Sequence, residues 1–146
     1  MATGRTAAAQ DGGRAGFAHE ARLRPAPGAD ERAPGAAVTV ALCGHWEHDG
    51  PCRWPHQTSV EARGGEELTI RVVAVSPPAE QARVRRLIDA ALVAGELTGP
   101  DGVSRWSLLR SGPAELSADE RALAARLATT PGAETPGGAA STEPET

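Results

Sequence analysis

The alternation of apolar and polar positions predicts three strands in the first half of the chain. Residues 38–42 alternate large apolar with small side chains, which is typical of a strand with one buried face. Residues 58–63 repeat the alternation more weakly, and residues 68–75 form the strongest strand pattern in the sequence. Gly64 and Gly65 indicate a tight turn between the last two segments. The three segments are therefore expected to form an antiparallel set.

The period then changes from two to about 3.6 residues, which predicts a helix over residues 79–94. Ser76 is a favourable N-cap and Pro77 suits the first helical position, where no backbone donor is needed. Gly95 follows as a C-terminal glycine. One apolar stripe runs along this helix and contains Val84, Leu87, Ile88, Ala91 and Leu92.

The last third of the chain predicts a hairpin followed by a helix. Residues 96–98 and 103–109 flank a Gly-Pro-Asp-Gly turn, which places Trp106 and Leu108 toward the core. Ser117 and Glu120 match the S-x-x-E capping box, which opens a helix that extends to about residue 128. The predicted order of elements is β-β-β-α-β-β-α.

This order predicts an α+β fold: a small antiparallel sheet of three to five strands with two helices on one face. The folded domain is expected to span residues 37–128. Residues 1–36 are rich in Ala, Gly and Arg and have Phe17 and Leu23 as their only large apolar side chains. They are predicted to be a disordered tail, so His19 receives no role. Residues 129–146 contain no large apolar residue and are predicted to be a disordered acidic tail.

Composition and charge narrow the classes of function. The chain has no Lys and abundant Ala, Gly and Arg, as expected of a GC-rich, bacterial coding sequence. The net charge is −4, without the basic excess that is typical of a general nucleic-acid binder. No run approaches the roughly 20 apolar residues of a membrane span. A cytoplasmic location is therefore expected, in which cysteines are more often thiols or ligands than disulfides.

Residues 43–56 carry the candidate chemistry of the chain. This segment holds both cysteines, three of the four histidines and two of the three tryptophans. Thiolate and imidazole groups bind zinc and copper, and the spacing is C-x-H-x2-H-x3-C-x3-H. The predicted metal ligands are Cys43, His45, His48, Cys52 and His56. Four of them, without His48, could form a structural zinc site with zinc as the cofactor.

Three other interpretations of this segment stay open at this point. An open coordination position would make the protein a metal-dependent enzyme, with His48 or Glu47 as proton carrier. The two thiols could instead be free, or oxidised to each other in a loop whose histidines are simply polar. A non-metal ligand could also bind here. Trp46 and Trp54 are predicted to pack over the loop rather than to form a stacking platform.

The second candidate surface is basic. Arg83, Arg85 and Arg86 lie close together on the predicted helix and precede the hairpin, as in a regulatory nucleic-acid-binding module. The acidic balance of the domain argues against this alternative. The leading hypothesis is a small soluble zinc-binding domain that acts through interactions with an unidentified protein partner.

Overall fold

The structure is a computed structural model that describes residues 13–44, 53–100 and 102–129. In these residues the chain forms one antiparallel sheet of five strands and three α-helices. The strands are β1 (Ala15–Pro25), β2 (His56–Gly64), β3 (Glu67–Ser76), β4 (Glu96–Gly99) and β5 (Gly102–Ala114). The helices are α1 (Ala33–Cys43), α2 (Gln81–Ala94) and α3 (Ala118–Ala128). The predicted α+β class with a small antiparallel sheet is confirmed.

The strands lie in the order β2-β3-β1-β5-β4, and neighbouring strands are antiparallel. β1 is the central strand and pairs with β3 on one side and β5 on the other. The units β1-α1-β2 and β3-α2-β5 therefore interleave, since each encloses a strand of the other. This connectivity is the split β-α-β arrangement.

The sheet has helices on both faces. On one face Phe17, Leu23, Ile70 and Val72 pack in a single core with α1 and α2. On the other face β3 packs against α3, and the second core contains Val73, Val75, Ala124 and Ala128. The sequence predicts two helices on one face. The helix at the end of the described chain lies instead on the opposite face, because alternate β3 side chains are apolar on both sides of the strand.

The predicted strand at residues 38–42 is wrong, because these residues belong to α1. Val38 and Leu42 are spaced i, i+4 and are both buried on one side of the helix. Pro34 lies in the first turn, and Gly44 ends the helix in the left-handed conformation with φ 86°. In a run of five residues, an alternation of large and small side chains fits both the two-residue period of a strand and the 3.6-residue period of a helix.

The predicted disordered tail at residues 1–36 is also wrong where the structure describes it. Ala15–Pro25 is the central strand β1, and Phe17 and Leu23 are 5% and 0% exposed. Sequence analysis does not identify this strand, because its other apolar side chains are alanines. The large side chains that cover the strand come from neighbouring strands and helices. Residues 1–12 and 130–146 lie outside the described residues.

The remaining predicted elements are confirmed with local differences. β2, β3 and the β4–β5 hairpin match the predicted strands, and Trp106 is buried. Ser76 does not cap α2; its hydroxyl donates to the Pro77 carbonyl, and a 3-10 turn (Pro78–Glu80) precedes the helix. Gly95 follows α2 in the left-handed conformation, as predicted. None of the described helices is long and apolar enough to cross a membrane.

Two uncovered strand edges, one in β5 beyond the end of β4 and one in β2, are poorly suited to further strand pairing. Beyond the end of β4, β5 pairs only with β1 among the described strands, so its other edge is open. Pro113 lies in this part of β5 and has no backbone N–H to donate to an added strand. At the second uncovered edge, β2 shifts register between Val60 and Ala62 and carries the exposed Glu61 and Arg63.

Candidate functional site

The structure describes only the two ends of the predicted metal segment. Cys43 is the last residue of α1 and His56 is the first residue of β2. The other predicted ligands, His45, His48 and Cys52, lie outside the described residues, as do Trp46 and Glu47.

The two described residues of the segment have structural roles. Cys43 is in a disulfide bond, and Cys52 is the only other cysteine in the sequence. A sulfur in a disulfide is not the thiolate that zinc requires. His56 Nδ1 lies 3.0 Å from the Trp54 carbonyl oxygen and donates to it, and His56 Nε2 accepts from Thr39 Oγ1 at 3.1 Å. Both ring nitrogens of His56 are therefore used in hydrogen bonds within the fold.

The predicted metal-binding function is contradicted by the described part of the chain. Across residues 13–44, 53–100 and 102–129, no three His, Cys, Asp or Glu side chains come together in a way that could hold a metal ion. The physical reason is the use of Cys43 in a disulfide and of His56 in hydrogen bonds. The metal-dependent enzyme was predicted with His48 or Glu47 as proton carrier, and both lie outside the described residues. Zinc as a cofactor is not tested at His45, His48 and Cys52.

Trp54 is a packing residue, but it lies in the main core and not in a separate cluster over the Cys/His loop. Its side chain is 4% exposed and belongs to the core under α1 and α2. Trp54 Nε1 donates to Glu80 Oε1 at 2.8 Å, and the guanidinium carbons of Arg53 and Arg83 lie 4.7 and 5.5 Å from the indole centroid. The hydrogen bond from Trp54, followed by the charge of Arg53, lowers the pKa of Glu80. Arg83 thus contributes to packing around Trp54.

The predicted basic cluster on α2 does not form one surface. Arg85 turns inward, donates to the Ala18 carbonyl oxygen at 2.9 Å and lies over the Phe17 ring at 4.6 Å. Burial lowers the pKa of Arg85. Arg83 and Arg86 are exposed, so the predicted cluster is reduced to these two arginines. The nucleic-acid-binding alternative stays a prediction.

Sequence analysis missed a buried polar network centred on His19. The imidazole is 2% exposed, and its Nε2 lies 2.9 Å from both Asp89 Oδ1 and Ser111 Oγ. Arg85 donates to His19 Nδ1 at 2.8 Å, and Ser111 Oγ donates to Asp89 Oδ1 at 2.5 Å. The available signal was the period-2 pattern of residues 17, 19, 21 and 23, which places His19 on the core face of a strand.

The network holds helix α2 on the sheet and is not arranged for nucleophilic catalysis. Arginine has no acceptor, so His19 Nδ1 must accept and the proton of neutral His19 is on Nε2. That nitrogen faces Ser111 and therefore cannot take the proton of its hydroxyl, as a general base would. The Ser111 proton is instead directed to Asp89. The described geometry joins β1, α2 and β5.

A second feature that the sequence did not reveal is a row of arginines on the side of the sheet that carries α3. The strand register places Arg22 beside Thr69 and Arg110, and Arg24 beside Ser107. Helix α3 covers the far half of this side, near Gly16 and Val73. The uncovered half is named here the arginine face. It consists of Arg22, Arg24, Ala62, Glu67, Thr69, Ser107 and Arg110.

The arginine face is exposed and positively charged. The side chains of Arg22 and Arg24 are 47% and 51% exposed. Its seven residues contain three arginines and one glutamate, for a charge of +2 on a chain of charge −4. Glu20 adjoins them and lines the same groove as Arg22, Thr69 and Arg110. Glu67 Oε2 accepts from Arg24 NH2 at 3.1 Å, and Glu67 Oε1 lies 3.8 Å from Arg22 Nε. Arg110 makes no ion pair or hydrogen bond through its side chain with the described residues. A groove of about 300 Å³ runs along Arg22, Thr69 and Arg110.

The border of the arginine face toward α3 is set by Arg71. Its guanidinium donates to both oxygens of Glu120, at 2.7 and 2.8 Å, and to Glu20 Oε2 at 3.3 Å. The bonds from Arg71 hold the pKa of Glu120 at about 2, and the same pairing raises the pKa of Arg71. Arg71 is thus neutralised within the fold. Arg22 and Arg24 share Glu67, and Arg110 has no carboxylate partner among the described residues.

Comparisons with known proteins assign no relatives to the chain: no family model matches it, and no curated protein matches it at a significant level. The function is therefore argued from the geometry of the arginine face and from the charges around it.

Proposed function

We propose that this protein is an interaction module that binds an extended acidic segment of a partner protein on the arginine face. The observation that carries the proposal is the register of β1 and β5, which brings Arg22, Arg24 and Arg110 together on the uncovered half of the sheet. The partner supplies carboxylates, and the guanidinium groups bind them through pairs of parallel hydrogen bonds.

The spacing of the arginines fits an extended ligand. Arg22 and Arg24 are two residues apart on one strand, which separates their Cβ atoms by about 6.6–7 Å along the strand. Alternate side chains of an extended peptide have the same spacing. Arg110 lies directly across from Arg22, at about 5 Å on the neighbouring strand. Thr69, Ala62 and Ser107 are small, so the backbone of a ligand can approach the sheet between the arginines.

The amount of charge favours a few carboxylates over a nucleic-acid backbone. Nucleic-acid binders typically neutralise many phosphates and gather a large basic excess on one surface. The arginine face has a charge of +2 and contains Glu67, which would repel a phosphate backbone. An acidic peptide would contact Arg110 without meeting Glu67, and would take the place of Glu67 at Arg22 and Arg24.

A cytoplasmic location, predicted from the sequence, remains part of the proposal. The disulfide of Cys43 argues against it, because structural disulfides are rare in a reducing cytosol. Fractionation of cells that express the protein, followed by thiol labelling without reductant, tests the location directly.

The test of the binding function is fluorescence anisotropy with a labelled peptide of alternating Glu and Ser. We expect the double variant R22S/R110S to bind about five- to thirty-fold more weakly than the wild type, because each exposed ion pair contributes up to about 1 kcal/mol. Added salt should weaken wild-type binding. The matched control is R86S/R121S, which removes two exposed arginines elsewhere and should change binding by less than about two-fold.

Two outcomes would overturn the proposal. One is equal binding of the peptide by R22S/R110S and by the control variant, with both variants folded by circular dichroism. The other is tighter binding of a single-stranded oligonucleotide than of the peptide at the same salt concentration.

A further inference from the structure

We infer that Glu67 is an internal competitor of the acidic partner at Arg22 and Arg24, which leaves Arg110 as the residue that anchors the partner. This inference rests on the proposed function, because it concerns the same surface and the same ligand chemistry. The Glu67 carboxylate lies between two of the three arginines. Its Oε2 is 3.1 Å from Arg24 NH2 and its Oε1 is 3.8 Å from Arg22 Nε. A carboxylate of the fold thus already holds the position that a ligand carboxylate would take.

Strand pairing fixes the position of Glu67. Leu68 pairs with Leu23, so Glu67 and Arg24 are the next residues of the same two antiparallel strands. Glu67 also pairs with Gly64 across the turn between β2 and β3. Its carboxylate therefore stays beside Arg24 and competes there at the effective concentration of a tethered group, on the order of millimolar. A dilute ligand that offers one carboxylate does not displace it.

Arg110 is not occupied by this competitor. Glu67 is on β3 and Arg110 is on β5, with β1 between them, so two strand spacings of about 9–10 Å separate their backbones. Glu20 lines the same groove as Arg110, but its carboxylate pairs with Arg71 at 3.3 Å. Arg110 has no carboxylate partner among the described residues. A ligand carboxylate can therefore bind Arg110 without displacing a group of this protein.

The affinity gained from a second ligand carboxylate depends on Glu67. Once one carboxylate is bound to Arg110, a second carboxylate of the same ligand is also tethered and competes with Glu67 for Arg22 and Arg24. In the wild type this exchange gains little, because one exposed ion pair replaces another of similar strength. When the charge of Glu67 is removed, the second carboxylate forms its ion pair without this loss.

The side chain of Glu67 has space to leave the two arginines. It is 34% exposed and lines a cavity of about 730 Å³ at the end of the sheet, together with Arg63 and Arg105. In this cavity the displaced carboxylate stays hydrated and close to positive charge. The exchange therefore needs a change of side-chain rotamer and no movement of the strands.

The experiment measures the binding of the acidic Glu-Ser peptide to the full chain by fluorescence anisotropy. We expect E67Q to bind the peptide about five-fold more tightly than the wild type, which is the effect of one exposed ion pair. The matched control is E66Q, which removes the same charge from the preceding residue. Glu66 makes no ion pair or hydrogen bond through its side chain with the described residues, so E66Q should change the affinity by less than about two-fold.

Two further backgrounds test whether Glu67 acts through the arginines. In R22S/R24S, the substitution E67Q should change the affinity by less than about two-fold, because the residues for which Glu67 competes are absent. R110S should weaken binding about five-fold in both the wild type and E67Q, because Arg110 binds the ligand in either protein. A gain from E67Q that persists in R22S/R24S would overturn the inference, since Glu67 would then act only through the net charge.

The remaining outcomes separate this competition from the proposed function. Equal affinities of E67Q and E66Q, with R22S/R110S still weaker than R86S/R121S, would overturn the competition and leave the proposed function standing. Equal binding of the peptide by R22S/R110S and R86S/R121S would overturn the proposed function itself. Circular dichroism establishes that each variant is folded before its affinity is compared.

Discussion

Arg71 Nε lies 2.7 Å from Glu120 Oε2, in an ion pair that joins strand β3 to the first turn of α3. Arg71 NH2 donates to the second oxygen of the same carboxylate at 2.8 Å, and Glu120 Oε1 also accepts from the Ser117 backbone N–H at 2.9 Å. One carboxylate therefore docks α3 on the sheet and closes the capping box of the same helix. This double use makes Glu120 the residue on which the placement of α3 most depends.

Glu120→Gln tests the ion pair separately from the cap. Glutamine is accepted at this position of a capping box, so its side-chain oxygen retains the bond from Ser117. Its amide nitrogen cannot accept from Arg71, which leaves the partly buried guanidinium with a lost partner. We expect the free energy of unfolding to fall by about 1–3 kcal/mol, measured by urea denaturation. A loss as small as that of the surface variant R86S would show that α3 is held by its apolar contacts alone.

The same pair gives the protein a pH dependence with a definite sign. Arg71 lowers the pKa of Glu120 to about 2 from its usual 4.5, so the ionised form is favoured in the folded protein. The resulting stability is present above pH 4.5 and is lost as the pH falls from there toward 2. We expect the unfolding free energy of the wild type to fall more steeply over this range than that of E120Q. Parallel curves for the two proteins would contradict this assignment.

Gly16 allows α3 to pack at a short distance from the sheet. A Cβ atom built at Gly16 would lie 2.5 Å from the Cβ of Ala124, so Gly16→Ala must push the helix away from the strand. We expect a loss of about 1–3 kcal/mol of stability from this overpacking. Gly112 lies in β5 with no atom within 4 Å of its built Cβ, and Gly112→Ala serves as the control. Equal stabilities of the two variants would show that α3 shifts without cost.

The His19 network makes a prediction about core stability. His19→Leu keeps a side chain of similar size but removes the acceptor for Arg85 and the donor to Asp89. Because Arg85 and His19 are held inside the fold, we expect a loss of about 1–3 kcal/mol, measured by chemical denaturation. The exposed variant R86S should stay within about 0.5 kcal/mol of the wild type. A neutral His19→Leu would mean that α2 is held without the network.

The redox state of Cys43 can be counted directly. Since Cys43 is in a disulfide and the sequence has two cysteines, we expect no titratable thiol in the denatured, unreduced protein. Cys43→Ser should release one thiol per chain under the same conditions, from Cys52. Two free thiols in the unreduced wild type would contradict the disulfide.

Much of the local structure could be predicted because it depends on neighbours in sequence. The period of 3.6 residues in α2, the Gly95 terminator and the capping box of Ser117 and Glu120 each act within one or two turns. The prediction of a strand at residues 38–42 was wrong because it also used only local information. Five residues cannot distinguish the period of a strand from that of a helix.

The candidate site could not be predicted, because its residues meet only through strand pairing. Arg22 and Arg24 lie in a segment whose composition indicates disorder, and Arg110 follows them by more than 80 residues. The net charge of −4 gave no indication of the arginine face. A net charge is summed over the whole chain and does not show which strands become neighbours. The Cys/His segment was conspicuous in sequence, yet its described ends are used in a disulfide and in hydrogen bonds.

The sequence by itself determined the class of the fold, the positions of most helices and strands and the acidic balance of the chain, because these depend on local periodicity and composition. The tertiary structure decided the central position of β1, the helix on the second face, the burial of His19 and the grouping of the arginines. Each of these depends on the order and register of strands that are distant in sequence, and pairing over such distances is selected by the packing of the whole domain.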